Sequence, residues 1–128
     1  KAKHVYGVEV VGDAVKMAKN NAAKNYINNV HFETGQAETV MGEWVKAGVQ
    51  PDVVVVDPPR KGLDDTFIES TIEANPEKIV YVSCNPTTMA RDIAKFVEVG
   101  YDFEQVQPLD MFPQTWHVET VTLLEKKR

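Results

Sequence analysis

The 128-residue chain is poor in cysteine and in cations. Its one cysteine cannot form an internal disulfide, and one cysteine with three histidines gives no metal-ligand spacing. No apolar stretch approaches the roughly 20 residues of a membrane span, and no signal peptide is visible. Lys and Arg total 14 against 19 Asp and Glu, a formal net charge of -5. That balance argues against a domain that binds a polyanion alone, although a local basic patch is compatible with it. We expect a soluble cytoplasmic protein.

Strand-like and helix-like segments alternate along the chain. This alternation predicts one α/β domain over residues 1–128 with a mostly parallel sheet. Four consecutive valines, 53–56, suit a central strand covered on both faces. Nothing of helix length separates the last two strands, so we expect them to pair antiparallel. The predicted strands cover residues 4–11, 30–33, 53–56, 79–83, 101–106 and 118–124. Asp13 is expected to be the N-cap of the helix after the first strand.

Polar side chains recur where predicted strands end. Ligands of parallel α/β sheets bind beyond the carboxyl ends of the strands. Glu9, Asp57 and Cys84 fall at or near such ends, so we expect them along one rim. A carboxylate at Glu9 can accept hydrogen bonds from ribose hydroxyls of a nucleotide-like cofactor. The alternative for Glu9 is a solvated acid at a strand end.

The hexamer "DPPRKG", residues 57–62, follows the four valines. Its two prolines fix φ and lack backbone donors, so they hold Asp57 in a fixed direction. A rigid carboxylate there can receive hydrogen bonds from a flat base or polarise a substrate. Arg60 adds a planar fork of donors for carbonyl or phosphate oxygens. The alternative is a rigid turn with an exposed ion pair.

The only cysteine lies in "SCNP", residues 83–86, between a predicted strand and a predicted helix that carries Pro86 in its first turn. Free cysteines are commonly buried and inert, which is one interpretation of Cys84. A helix beginning just after it would stabilise the thiolate, which makes the other interpretation a nucleophile. Asn85 is expected to cap that helix or to contact a substrate.

The segment "FPQTWHVE", residues 112–119, ends in an acid on the last predicted strand. Glu119 alternates with Val118 and shares a face with Val121 and Leu123, which we expect to pack inward. A partly desolvated carboxylate can act as a general base near neutral pH. The alternative is a strand-end acid in solvent. His117 is interpreted as a structural, hydrogen-bonding histidine.

Four segments, in this order and spacing, resemble the S-adenosylmethionine-dependent RNA uracil-5-methyltransferase family: "GVEVV", "DPPRKG", "VSCNPTT…RD" and "FPQTWHVE". Members methylate carbon 5 of a uridine in ribosomal or transfer RNA. The resemblance implies a Rossmann-like class I methyltransferase sheet, S-adenosyl-L-methionine as cofactor and RNA as partner, with ribosomal RNA preferred over transfer RNA. It covers the whole chain but only part of the family's length.

The resemblance also implies roles for the site residues. Cys84 corresponds to the nucleophile that adds to carbon 6 of uracil, and Glu119 to the base that removes the carbon-5 proton. Asp57 resembles the acid beside the cofactor and the target base, with Arg60 as a helper. Glu9 resembles the acid that holds the cofactor ribose.

The chain departs from the family pattern in several places. The family's first strand and glycine-rich cofactor turn are absent, which implies a gap in the sheet between the strands near His4 and Val53. Without the cofactor turn, we expect the 128-residue chain alone to be inactive or nearly so. Open strand edges favour pairing between chains, so we also expect it to self-associate. An amino-terminal RNA-binding barrel is also absent, and one cysteine cannot hold the iron–sulfur cluster of some members. Gln36 stands where related folds often carry an acid.

Two alternatives remain open at this point. Methyltransferases of exocyclic base amines also place Pro-Pro after an acid or amide, but usually with an aromatic residue next, and here Arg60 and "SCNP" argue against them. In the other alternative, the 128-residue chain is a catalytically inert folding or interaction module.

Overall fold

Helices and strands alternate in the computed structural model, which describes residues 2–109 and 119–127. The predicted α/β order is therefore confirmed. In chain order the elements are β1 (Val5–Glu9), α1 (Gly12–Lys24), β2 (Val30–Thr34), α2 (Ala37–Lys46), β3 (Val53–Val56), α3 (Asp65–Ala74), β4 (Lys78–Ser83), α4 (Pro86–Glu98), β5 (Tyr101–Leu109) and β6 (Glu119–Lys126). No helix among the described residues is long and apolar enough to cross a membrane.

The strands form two separate sheets. β1 and β2 pair in parallel, and the second sheet has the order β3-β4-β6-β5. In that sheet β3 and β4 are parallel, while β6 runs antiparallel to both β4 and β5. The expected antiparallel pairing of the last two strands is thus confirmed. Within the described residues no strand pairing joins β1 to β3, in line with the expected gap.

Strand β3 is more exposed than its four valines predict. Val53 and Val55 are 49% and 67% exposed, whereas Val56 is buried. The prediction of a strand covered on both faces is therefore wrong. Among the described strands β3 pairs only with β4, so it forms an edge of the four-stranded sheet. A β-branched run favours a strand but does not report what covers it locally.

The main core lies on one face of the four-stranded sheet. Along β4 and β6, alternate side chains are buried on this face, and Thr122 of β6 donates a hydrogen bond to the Met89 sulfur of α4. The expectation that Glu119 shares the inward face of β6 is wrong, because Thr120, Thr122 and Leu124 occupy it. Glu119 lies on the alternate, half-buried face. The core contains Val56, Phe67, Ile68, Ile79, Tyr81, Met89, Ile93, Phe96, Tyr101 and Leu124.

Helix α2 connects the two sheets, because it contacts both β1 and α3. The Trp44 Nε1 of this helix donates to Glu33 Oε1 of β2 at 3.1 Å, and His31 lies 2.9 Å from the same oxygen. The hydrogen bond with His31, and next the one from Trp44, hold the pKa of Glu33 below its usual range. These contacts attach α2 to the two-stranded sheet.

Two helix starts test the capping predictions. α4 begins as expected, with Pro86 in its first turn and the Asn85 side chain accepting the Thr87 N–H at 3.0 Å. α1 does not, because Gly12 is already helical and Val11 is the N-cap residue. Asp13 therefore lies in the first turn, where its charge complements the helix dipole, rather than at the cap.

Candidate active site

Three of the predicted residues lie where strands of the four-stranded sheet end or begin, along one rim of the sheet. Asp57 directly follows β3, Cys84 directly follows β4, and Glu119 begins β6, which runs in the opposite direction. Because β3, β4 and β6 are neighbours in the sheet, their ends meet at the same rim. The rim carries two carboxyl groups and one thiol from segments far apart in the sequence.

Cys84 and Glu119 are brought together by the register of β4 and β6. The last residue pair of the two strands is Ser83 with Thr120. Cys84 is the next residue after Ser83, and Glu119 is the residue before Thr120. Both side chains are half-buried, and the thiol is free. Such a thiol is not enclosed in the core, so a molecule at the rim can reach it.

The backbone around Cys84 is fixed on both sides. The Ser83 hydroxyl accepts the Asn85 N–H at 2.9 Å and lies 2.9 Å from the Asn85 carbonyl oxygen, to which it donates. Asn85 in turn caps α4. Cys84 therefore lies in a short, hydrogen-bonded connection between the buried Ser83 and the N-terminus of α4. These hydrogen bonds fix the backbone position from which its side chain extends.

The segment after Asp57 is attached to the Cys84 segment. The Arg60 carbonyl oxygen accepts hydrogen bonds from Asn85 Nδ2 at 3.0 Å and from Thr88 Oγ1 at 2.9 Å. The segment turns at Gly62, where φ is +83° and the N–H donates to the Pro59 carbonyl at 2.9 Å. The hexamer is therefore more than the isolated rigid turn of the alternative interpretation.

Two residues of this region, Asp92 and Gly62, have no role assigned from the sequence. Asp92 is fully buried and accepts hydrogen bonds from the Tyr81 hydroxyl and from the Leu63 N–H. Gly62 packs against it. Asp92 belongs to the quoted "RD" pair, and Gly62 ends the quoted hexamer, so the motifs contained both residues. Their contacts could not be read from the motifs.

Glu9 lies at the end of β1, in the other sheet. Its carboxylate is exposed, and Oε1 accepts the N–H groups of Val10 at 3.1 Å and Val11 at 3.3 Å. These bonds hold the carboxylate beside the turn into α1. A carboxylate is an acceptor, so it fits a ligand that offers hydroxyl donors, such as a ribose.

Part of the predicted site lies outside the described residues. This applies to His117 and to residues 112–118 of the motif that ends in Glu119. Within the described ranges no cluster of three or more His, Cys, Asp or Glu side chains could hold a metal ion.

The sequence matches a known family over almost its full length. Residues 1–127 fit the family described as tRNA (uracil-5-)-methyltransferase. A protein of Enterococcus faecalis, named as an uncharacterized RNA methyltransferase, is 58% identical over 98% of this chain. A protein of the same description from Listeria innocua is 54% identical over 99% of the chain. The chain spans 27% and 28% of the length of these two relatives.

Solved structures give the same picture. The Pyrococcus abyssi tRNA (uracil-54, C5)-methyltransferase, determined with S-adenosyl-L-homocysteine, superposes with a TM-score of 0.74 at 35% identity. The match covers 94% of this chain and 28% of that one. A putative methyltransferase of Streptococcus mutans, described as S-adenosylmethionine-dependent, gives a TM-score of 0.75 at 14% identity, over 96% of this chain and 39% of that one. At that identity it shows the fold alone, which is the expected Rossmann-like methyltransferase fold.

Proposed function

The chain belongs to the tRNA (uracil-5-)-methyltransferase family, and on that premise we propose that the full-length protein methylates carbon 5 of a uridine in RNA through a covalent adduct with Cys84. The β4–β6 register gives the strongest support, because Cys84 and Glu119 both lie directly beyond its last residue pair, Ser83 with Thr120. The proposed chemistry needs a nucleophile and a base at one substrate ring, and this rim offers both.

Cys84 performs the first step. Carbon 5 of uracil is a poor nucleophile, so the thiolate adds to carbon 6 and forms the Sγ–C6 bond. The electrons of the C5–C6 double bond move toward O4, which makes carbon 5 an enolate carbon. S-adenosylmethionine, when bound, would supply the methyl group that this carbon takes up, and would leave as S-adenosylhomocysteine.

Glu119 performs the last step. Carbon 5 now carries both its proton and the methyl group. The carboxylate removes the proton, the C5–C6 double bond re-forms, and the Sγ–C6 bond breaks to return the thiolate. Glu119 is half-buried at the start of β6, and its place in the register, directly beyond the Ser83–Thr120 pair, supports this role.

Asp57 and Arg60 serve to orient the ring. Asp57 is exposed at the rim directly after β3 and can accept the uracil N3–H. Its position also suits a contact with the cofactor. The Arg60 guanidinium provides donors for carbonyl or phosphate oxygens of the RNA. Both residues lie on the segment that is hydrogen-bonded to the Cys84 side of the rim.

Glu9 is the proposed ribose-binding group for S-adenosylmethionine. Its exposed carboxylate, anchored by the Val10 and Val11 N–H groups, has acceptor capacity for two adjacent hydroxyls. A Glu9→Gln change should raise the KM for S-adenosylmethionine more than it lowers kcat.

The substrate uridine must leave its stack to reach the thiol. Ribosomal RNA is the first substrate to test, because the sequence interpretation preferred it. Transfer RNA is the second, because the family description and the Pyrococcus abyssi relative both name it.

The test is covalent trapping in the full-length protein. Wild type and Cys84→Ala are incubated with S-adenosylmethionine and RNA containing 5-fluorouridine, using ribosomal and transfer RNA in parallel. Fluorine cannot be removed as a proton, so the intermediate should remain attached to the protein on a denaturing gel. We expect an adduct with one class of RNA in the wild type and none in Cys84→Ala.

A contrary result is well defined. Methyl transfer without an adduct, and insensitive to Cys84→Ala, would make Cys84 a structural residue and would favour methylation of an exocyclic amine. An Asp57→Asn change should slow adduct formation, because it removes the charge of the acceptor proposed to orient the ring, and Asp52→Asn is its matched control. Asp52 precedes β3, at the end of the strand opposite to Asp57, so Asp52→Asn should leave adduct formation unchanged.

A further inference from the structure

The most deeply buried acid of the described chain lies beside the proposed site, and the proposed reaction does not use it. Asp92, in α4, is 0% exposed. Oδ2 accepts the Tyr81 hydroxyl at 2.6 Å and the Leu63 N–H at 2.8 Å. Oδ1 accepts Arg91 Nε at 3.2 Å and Nη2 at 3.1 Å. A buried carboxylate without hydrogen-bond partners costs free energy, so folding favours keeping all four of these contacts.

Asp92 joins three parts of the chain. Leu63 belongs to the segment between β3 and α3, Tyr81 is in the centre of β4, and Arg91 precedes Asp92 on α4. Burial, and next the hydrogen bond to Asp92, raise the pKa of Tyr81 above its ordinary range, so its hydroxyl remains a donor. Arg91 Nη2 also donates to the Lys61 carbonyl at 2.8 Å. The Asp92–Arg91 pair thus binds two backbone groups of one loop.

The loop, residues 60–63, is packed against this pair without a gap. A Cβ added at Gly62 would lie 2.7 Å from Asp92 Oδ2 and 2.7 Å from Arg91 Nη2. The φ of +83° at this position also favours glycine. The backbone itself therefore forms the contact surface, and a small shift of either partner would break it.

The same loop is bound at its other end by residues of the Cys84 segment. The Arg60 carbonyl accepts from Asn85 and Thr88, as described above. The loop therefore has one attachment next to Cys84 and a second, deeper attachment at Asp92. Two attachments fix the orientation of the loop, whereas a single attachment would allow the loop to rotate about it.

We infer that Asp92 is a positioning residue, which holds the 60–63 loop so that Asp57 and Arg60 keep a fixed place relative to Cys84. This inference rests on the proposed function, since it concerns the same reaction. Asp92 does not touch the substrate in this arrangement. It acts through the loop, with Tyr81 and Arg91 fixing its two oxygens.

The test compares Asp92→Asn with Phe96→Leu in the full-length protein. Asparagine keeps the shape but must turn its NH2 group toward existing donors. Phe96 is equally buried on α4 and packs on Tyr101 of β5, so it serves as a destabilised control. We expect Asp92→Asn to lower kcat and the rate of adduct formation by about tenfold to a hundredfold, with a rise in the KM for RNA that is smaller than the fall in kcat.

A second readout does not depend on activity. Trypsin cleavage after Arg60 and Lys61 reports release of the loop, and it should be faster in Asp92→Asn than in Phe96→Leu. An Asp92→Asn variant with wild-type kcat, or with unchanged loop cleavage, would overturn the inference while leaving the proposed function intact. A wild type that forms no adduct with either class of RNA would overturn both.

Discussion

Cys84 and Glu119 have different tasks in the proposed reaction, and single substitutions separate them. A Glu119→Gln variant keeps the shape of the side chain but cannot take the carbon-5 proton. We expect it to form the adduct with unmodified RNA and to release product at least about a hundredfold more slowly. The protein–RNA complex should therefore accumulate on a denaturing gel, with its methyl group already attached.

Glu125→Gln is the matched control for this prediction. Glu125 is in the same strand and on the same face as Glu119, but at the other end, where it lies 4.0 Å from Lys78. Its turnover should equal that of the wild type. Product release by Glu119→Gln at the wild-type rate would assign the base to another residue.

Gly62 is the residue at which the packing of the loop can be measured as stability. Gly62→Ala meets a left-handed φ and two polar atoms at 2.7 Å, whereas Gly48→Ala meets φ +91° with no atom within 4 Å. The left-handed backbone alone costs about 1–2 kcal/mol. We expect Gly48→Ala to lose about that much and Gly62→Ala roughly 1–3 kcal/mol more. Urea unfolding of the full-length protein measures both, and equal losses would show that the loop is loosely packed.

The sequence identified candidate site residues but not the contacts that hold them. Cys84 and Glu119 were candidates because each lies at or near the end of a predicted strand, and the family resemblance implied their roles, which stay predictions. Asp92 could not, because its hydrogen bond to Leu63 joins residues 29 positions apart. An acid on a helix is usually solvated, and only the fold shows that this one is buried against a loop.

At the scale of elements, α3 and α4 offer two N-caps of the same kind. The Asp64 side chain accepts the Thr66 N–H at 2.9 Å, and Asn85 accepts the Thr87 N–H at 3.0 Å. Replacing either by alanine should cost about 1 kcal/mol. Asn85 also donates to the Arg60 carbonyl, so only Asn85→Ala should slow adduct formation, by about tenfold.

Thermal unfolding and trapping with 5-fluorouridine, made on the same two preparations, test this prediction. The two variants should lose similar stability but differ in rate. An equal loss of activity in Asp64→Ala and Asn85→Ala would mean that helix stability, and not the attachment of the loop, controls the site.

Elements were predictable where local chemistry defines them. Asn85 and Pro86 specify the start of α4 because a cap and a fixed φ act within one turn. The burial of β3 was not predictable, since it depends on which strand lies beside Val53 and Val55. The inward face of β6 was also assigned wrongly, because Thr120 and Thr122, and not Val121 and Leu123, face the helices. A buried threonine hydroxyl can form hydrogen bonds with nearby groups, so the polarity of Thr120 and Thr122 did not mark their face of β6 as exposed.

At the scale of the whole molecule, the two proposed binding functions lie on separate sheets. Glu9 ends β1, whereas Cys84 and Glu119 lie at the rim of the four-stranded sheet. Among the described residues, helix α2 bridges the two sheets through its contacts with β1 and α3. The methyl group of the cofactor and the uracil ring can be aligned only if the distance between β1 and β3 is fixed.

The last prediction therefore concerns the 128-residue chain produced by itself. We expect it to bind S-adenosylhomocysteine much more weakly than the full-length protein and to show no methyl transfer. Its β3 edge, with Val53 and Val55 largely exposed, should also recruit other copies, because unpaired strands favour pairing between chains. Calorimetry with S-adenosylhomocysteine and sedimentation over a range of concentrations measure the two effects.

A Val55→Lys variant of the same chain separates these effects. Lysine on an edge strand opposes pairing between chains, so the variant should remain monomeric at concentrations where the parent chain associates. Its affinity for S-adenosylhomocysteine should stay low, because lysine at β3 does nothing to align β1 with the rim. A monomeric parent chain with the affinity of the full-length protein would instead show that α2 alone holds the two sheets in the geometry that the cofactor needs.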